Sequence, residues 1–217
     1  MNPSLKLFLV LIVALEATFT SHLYVNLVII ACALAALLYH RIGWRRLSWL
    51  VVITLVPAAA LFVTIVFFSP AHNVHFAWVL VTRLYVYVLT GATVSCTTSA
   101  LQLVQSLEQN CHLPSKFAYG ILAALNLLPR IHQEVRIIRV AGQMRGITLH
   151  WWSPRLYFKA ILVASQWADQ LAQAMESHGF VEGQSRTYAH RIPLASRDWL
   201  TFAVLVVALQ ALMIALP

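Results

Sequence analysis

The sequence is poor in charge. Asp, Glu, Lys and Arg make up 10% of it, and Asp and Glu together number only 7. With 60% hydrophobic residues and a mean hydropathy of +0.76, the chain lies far outside the soluble average. Glycine is also scarce, 7 in 217 residues and widely spread. A Gly-x-x-x-x-Gly-Lys-Ser/Thr loop is absent, so no nucleotide-phosphate cradle is expected. His-Glu-x-x-His is absent despite 9 histidines, and no Ser/His/Asp set stands at a spacing that argues for nucleophilic catalysis. His72 and His75 share a short loop, where their spacing reads as chance. Cys32, Cys96 and Cys111 are scattered without metal or redox spacing and read as small packing residues. No cofactor and no metal are expected.

What is present is a series of apolar runs approaching the ~20 residues a helix needs to cross the hydrocarbon core. The expected fold is an all-α polytopic membrane protein of about five transmembrane helices plus a cytoplasmic insert. The spans read as 5–20, 23–39, 47–68, 76–98 and 199–216, with Pro57 a kink in the third. The first has a single basic residue, Lys6, no Ala-x-Ala site, and Glu16 inside it, so it reads as a retained span rather than a signal peptide. Arg41, Arg45 and Arg46 with Trp44 put the loop after the second span in the cytoplasm, whereas 69–75 has no Lys or Arg. The N-terminus is then cytoplasmic and the C-terminus outside. In a membrane protein a pI near 9.9 reflects this loop bias and contact with anionic lipid, not nucleic acid.

The chain divides by this reading into a four-helix transmembrane part (1–100), interfacial amphipathic helices (101–129), cytoplasmic coupling helices (130–191) and a last transmembrane helix (197–217). Pro114 and Pro129 read as the ends of a surface-lying helix over 117–128. Glu16 and Arg83 are the two charges inside spans. Each lies within roughly 7–10 Å of the outer interface at ~1.5 Å per residue, and they are expected to pair or to share a polar pocket.

In the insert, Ile131, Val135, Ile138 and Gly142 form one helical stripe. A second helix opens at Pro154 behind Ser153 as N-cap, with a stripe of Tyr157, Ile161, Ala164, Ala168, Leu171 and Met175. Ala141, Gly142, Ala164, Ala168 and Ala172 are small enough to let the two helices cross closely and bury both stripes. Both runs finish on a base and a glycine, as Gln143-Met144-Arg145-Gly146 and Met175-Glu176-Ser177-His178-Gly179. Glycine past a helix accepts a left-handed backbone, and a base in the last turn faces the negative end of the helix dipole. Either end alone is an ordinary cap. Two in one insert suggest tapered tips that plug into two equivalent pockets of a partner, each base meeting a carboxylate.

Leu128-Pro129-Arg130, Glu134, Ala141-Gly142-Gln143-Met144-Arg145-Gly146 and the run 167–180, from Trp167-Ala168-Asp169 to Ser177-His178-Gly179-Phe180, resemble the transmembrane (T) component of energy-coupling-factor vitamin and metal transporters. That family includes the cobalt-transport permease subunit. The resemblance implies a non-catalytic subunit of a bacterial cell (inner) membrane importer. It would carry ATP-driven motion from two ABC-type ATPase subunits, identical or different, to a separate substrate-binding membrane subunit (the S component). The cargo would be a vitamin, a vitamin precursor or a transition metal. In the family each coupling helix ends in Ala-Arg-Gly and docks into one ATPase, so Arg145-Gly146 would meet one and His178-Gly179 the other. Met144 replaces the usual alanine, and Ser177-His178 replaces Ala-Arg, leaving a base of a type only partly charged near neutral pH. The Arg145 contact is therefore expected to dominate. The alternatives are a polytopic membrane enzyme or a self-sufficient small-molecule carrier, although carriers often show inverted repeats and broken helices, which are not clear here.

Overall fold

The computed structural model describes residues 1–40, 42–68, 73–184, 187–188 and 191–215. Arg41, His72 and the end of the last expected span lie outside the described residues. The chain is an all-α membrane protein, and no strand occurs among the described residues. Its helices are α1 (Pro3–Phe19), α2 (Leu23–Tyr39), α3 (Trp44–Val63), α4 (Val74–Thr97), α5 (Ala100–Cys111), α6 (Ser115–Met144), α7 (Pro154–Ser177) and α8 (Ser196–Ala215). A π-helical segment, Thr64–Phe68, continues α3 beyond Pro57, which sits inside the helix. Among the described residues, three helical segments are long and apolar enough to cross a membrane: Trp44–Phe68, Val74–Thr97 and Ser196–Ala215. At 17 residues each, α1 and α2 stand at the short end of the ~17–25 residue spanning range.

Two compact units make up the fold, Met1–Ser106 with Ile192–Pro217, and Leu107–Arg191. In the first, α4 is the central helix: α1, α2 and α3 pack on it, and α8 packs on α1. One core joins Ala17, Val25, Ile29, Val86 and Leu209, and another joins Ala33, Leu37, Leu47, Leu89 and Ala92. The alanines let neighbouring backbones approach, which matters where lipid removes the hydrophobic drive between helices. Several buried polar side chains in this unit bond inside it, although Asn26 Oδ1 and Thr98 Oγ1 have no partner. Asn26, wholly buried on α2, donates to Thr82 Oγ1 at 3.2 Å and to the Val79 carbonyl at 3.4 Å on α4. Thr54, Thr82 and Thr90 return their hydroxyls to carbonyls one turn back, at 2.6–2.9 Å.

At the start of α1 the buried Asn2 side chain is a hub. Its Oδ1 accepts from Ser4 N at 3.1 Å, Ser4 Oγ at 2.9 Å and Ser106 Oγ at 2.5 Å, and its Nδ2 donates to the Pro193 carbonyl at 3.4 Å. Ser106 and Pro193 flank the two points where the chain leaves this unit and returns to it.

The second unit is built on an antiparallel pair, α6 and α7. Near the turn, Ile138, Leu149 and Leu156 form a small core with Val135 and Ala160. Towards the far end, Phe180 stands edge-on to Tyr119 with centroids 6.0 Å apart, and Lys116 bridges Glu182 at 2.7 Å. Between these contacts lies an apolar groove of about 340 Å³, bordered by Gly120, Ala123 and Ala124 on α6 and by Ala168, Leu171 and Ala172 on α7.

The structure corrects the sequence reading in three places here. Pro129 does not end a helix: α6 runs from Ser115 to Met144 through it. Pro129 and Leu125 are both exposed, so the carbonyl deprived of its amide is not sealed inside protein. The packed edge of α7 begins at Leu156 and Ala160, while Tyr157 and Ile161 are 49% and 66% exposed. The apolar arc of α7 is wider than the face α6 can cover, and only one edge is buried. Gly142 receives the loop rather than α7: a Cβ there would stand 2.9 Å from Leu149 Cδ1 and 3.1 Å from the Ile147 carbonyl.

Candidate functional site

The C-termini of α6 and α7 close with the same hydrogen-bond pattern. After α6, the Gly146 N–H donates to the Gln143 carbonyl and the Ile147 N–H to the Gly142 carbonyl, both at 2.9 Å. After α7, the Gly179 N–H donates to the Glu176 carbonyl and the Phe180 N–H to the Met175 carbonyl, again both at 2.9 Å. These paired bonds satisfy the last carbonyls of a helix and require a left-handed residue just past its cap. Gly146 and Gly179 supply it at φ 71° and 80°. The capping residues match as well: Arg145 has φ −95°, ψ 10° and His178 has φ −86°, ψ 11°. Arg145 and His178 are thus equivalent positions on two copies of one backbone motif.

The side chains of both ends point outward. Gln143, Met144, Arg145, Gly146, Glu176, Ser177, His178 and Gly179 are exposed, and Met175 is half-buried. Ser177 Oγ turns back to the Ala174 carbonyl at 2.8 Å, which keeps that hydroxyl within the helix end. Neither the Arg145 guanidinium nor the His178 imidazole has a partner among the described residues. The hairpin holds the two ends apart. The first lies beside the start of α7 and the second at its finish, so the 24 residues of α7 separate them by about 35 Å at ~1.5 Å per residue. Chemically, each end is a rigid, narrow tip carrying a free base, suited to a directional bond with an acidic group on another molecule.

Two residues of these ends have a capping role that the sequence reading did not assign. Ile147 and Phe180 donate the outer bond of each cap, and Phe180 pins the second end to α6 through Tyr119. An apolar residue straight after the capping glycine is the signal that marks them.

The other candidate pair behaves differently. Arg83 Nη2 donates to the Thr20 carbonyl at 2.7 Å, at the negative end of α1. Glu16 Oε1 accepts from Gln210 Nε2 on α8. The two charges form no ion pair with each other; each takes a neutral partner from a neighbouring helix. Glu16 Oε2 and Arg83 Nε are both buried without a hydrogen-bond partner. His75 is exposed, and no group of three or more metal-ligating side chains occurs among the described residues.

A family model described as cobalt transport protein (CbiQ) matches residues 1–189. The chain is also similar to a protein of Limosilactobacillus fermentum (strain CECT 5716 / Lc40) described as energy-coupling factor transporter transmembrane protein EcfT. The two are 25% identical over 194 residues, covering 76% of this chain and 70% of the relative.

Proposed function

Because the chain belongs to the CbiQ cobalt transport protein family, we propose that it is the coupling subunit of an ATP-driven energy-coupling-factor importer. In this reading it hydrolyses nothing itself. Two ABC-type ATPase subunits supply the motion, and a separate substrate-binding membrane subunit carries a vitamin, a vitamin precursor or a transition metal. The N-terminus and the α6–α7 hairpin face the cytoplasm, and the C-terminus faces outside.

The observation that carries the reading is the duplicated cap. A lever driven from two points needs two rigid ends of one shape, each with a free group that bonds directionally. The ends of α6 and α7 meet that requirement at Arg145-Gly146 and His178-Gly179. When the ATPases close on nucleotide, their grooves approach and draw the two tips with them. Because the small core at Ile138, Leu149 and Leu156 joins the helices near one end, movement of the tips changes the angle between α6 and α7. That change is what the membrane part and the substrate-binding subunit receive. The groove lined by alanine and glycine leaves the helices room to close on each other.

Arg145→Glu sets a carboxylate where a carboxylate is expected on the partner and should abolish ATPase co-purification with the tagged chain. His178→Glu should weaken it less, since the imidazole is the weaker of the two contacts. Failure of any ATPase to accompany the wild-type chain from its native membrane, with cargo uptake insensitive to Arg145→Glu, would overturn the reading.

A further inference from the structure

The first half of α7 has two sides. Leu156 and Ala160 pack towards α6. At about 100° per residue, Phe158, Ile161, Leu162 and Ser165 fall on the opposite side, and all four are exposed. Arg155 and Lys159, one turn apart, run along one edge of this strip, and neither has an ion-pair partner among the described residues. The loop before the helix adds Trp151 and Trp152, both exposed. Arg139 lies over the Trp151 ring with its guanidinium carbon 4.7 Å from the centroid, and its Nε and Nη2 have no hydrogen-bond partner.

The charge of this region has one sign. From Val135 to Ala168 the chain holds Arg136, Arg139, Arg145, Arg155 and Lys159 and no Asp or Glu. Beyond that the same side of α7 changes character. Asp169 and Glu176, both exposed, continue the row of Phe158 and Ser165 at whole-turn spacings.

An apolar strip edged by bases and preceded by tryptophans suits a helix lying in a membrane interface. Aliphatic side chains enter the acyl boundary, the indoles sit at headgroup level, and Arg and Lys reach along it to the phosphates. A leaflet of anionic headgroups also supplies the negative charge that this stretch lacks. The unit Leu107–Arg191 is joined at both ends to the membrane unit, so a bilayer is always within reach and the contact costs no encounter from solution.

We propose that the first half of α7, with the Trp151-Trp152 loop, docks on a bilayer surface through anionic phospholipid. Phe158, Ile161 and Leu162 enter the headgroup–acyl boundary, and Arg155 and Lys159 bond lipid phosphates. The contact ends where Asp169 joins the face, because the same phosphates repel a carboxylate. It needs no ATPase, so it stands or falls separately from the coupling reading.

The tagged full-length chain, with any subunits that accompany it from its native membrane, is reconstituted in nanodiscs of phosphatidylcholine with or without phosphatidylglycerol. A fluorophore is attached at Ser165→Cys or, for comparison, at the exposed Gln173→Cys, with Cys32, Cys96 and Cys111 replaced by serine. With phosphatidylglycerol present, lipid brominated near the headgroup should quench the label at position 165, and aqueous acrylamide the label at 173. Arg155→Gln with Lys159→Gln should lower the ratio of lipid-quenched to acrylamide-quenched label at 165 by about tenfold, and so should omitting phosphatidylglycerol. Unchanged amide exchange at Ile138 and Leu156 checks that the variant hairpin is folded. Equal lipid quenching at 165 in both kinds of disc overturns the proposal. So does a label at 165 that acrylamide reaches freely, or one that a protein shields from both quenchers.

Discussion

Asn26 and Ile161 stand for the two halves of this molecule. Asn26, an amide inside the membrane unit, is fully buried and bonded to the neighbouring helix, while Ile161, an aliphatic side chain on α7, is 66% exposed. In the membrane unit apolar side chains can face lipid at no cost, and polar ones must find partners within the protein. The α6–α7 unit reverses this. Trp152 is 93% exposed, and Phe158 and Leu162 join it on the open side of α7. Only a small core, centred on Ile138, Leu149 and Leu156, holds α6 to α7 near their turn. The first unit is a finished bundle in its own solvent. The second is a lightly held pair with a large apolar surface left uncovered, a surface that the proposed coupling role and lipid docking would set against other proteins and the bilayer.

Leu156→Ala gives the widest separation between the halves. Leu156 is fully buried at the centre of that small core, and truncating such a side chain costs about 2–5 kcal/mol. Hydrogen exchange along α6 and α7 should accelerate strongly, while α2 and α4, with their separate cores, keep their protection. Exchange that rises equally in α4 would mean the two units unfold together, and the contrast between the halves would fail.

Asn2→Ala acts in the opposite half and through polarity rather than packing. The change removes the acceptor of Ser4 Oγ, one partner of Ser106 Oγ and the donor to the Pro193 carbonyl, at about 1–3 kcal/mol. Because Ser106 and Pro193 lie at the exits to the second unit, protease cleavage near 106 and 193 should rise first. Resistance equal to wild type at both points would show that the apolar contacts alone hold these exits.

The distribution of legible and illegible features follows from the range over which each cause acts. Apolar runs mark α3, α4 and α8 because lipid imposes length and composition on each helix separately. The left-handed glycines at 146 and 179 were legible for the same reason: capping is decided within six residues. Pro129 misleads because a proline disfavours a helix without forbidding one, and the loss of one backbone bond is tolerated within the 30 residues of α6. The packed edge of α7 was invisible because Leu156, Tyr157, Ala160 and Ile161 offer two adjacent stripes, and only the position of α6 selects between them. Gln210 is 194 residues from Glu16, and Ser106 is 104 from Asn2. No local pattern reaches that far.

Glu16 and Arg83 supply the smallest effect and the finest test of how the membrane unit manages charge. Proximity to one interface argued for an ion pair or a shared polar pocket; no ion pair forms, and each side chain takes a neutral partner, Arg83 the carbonyl of Thr20 at the end of α1 and Glu16 the amide of Gln210 on α8. A carbonyl at a helix C-terminus has no internal partner and carries the negative end of the dipole, so an arginine gains there without needing a carboxylate. Groups with separate partners should contribute separately. Glu16→Gln and Arg83→Met, measured singly and together by thermal unfolding in detergent, should add to within about 0.5 kcal/mol. Glu16→Gln keeps an acceptor for Gln210 and should cost the less of the two. A coupling clearly above that margin would mean the two charges sense each other in the working bundle, and two separately partnered charges would give way to a shared charge site.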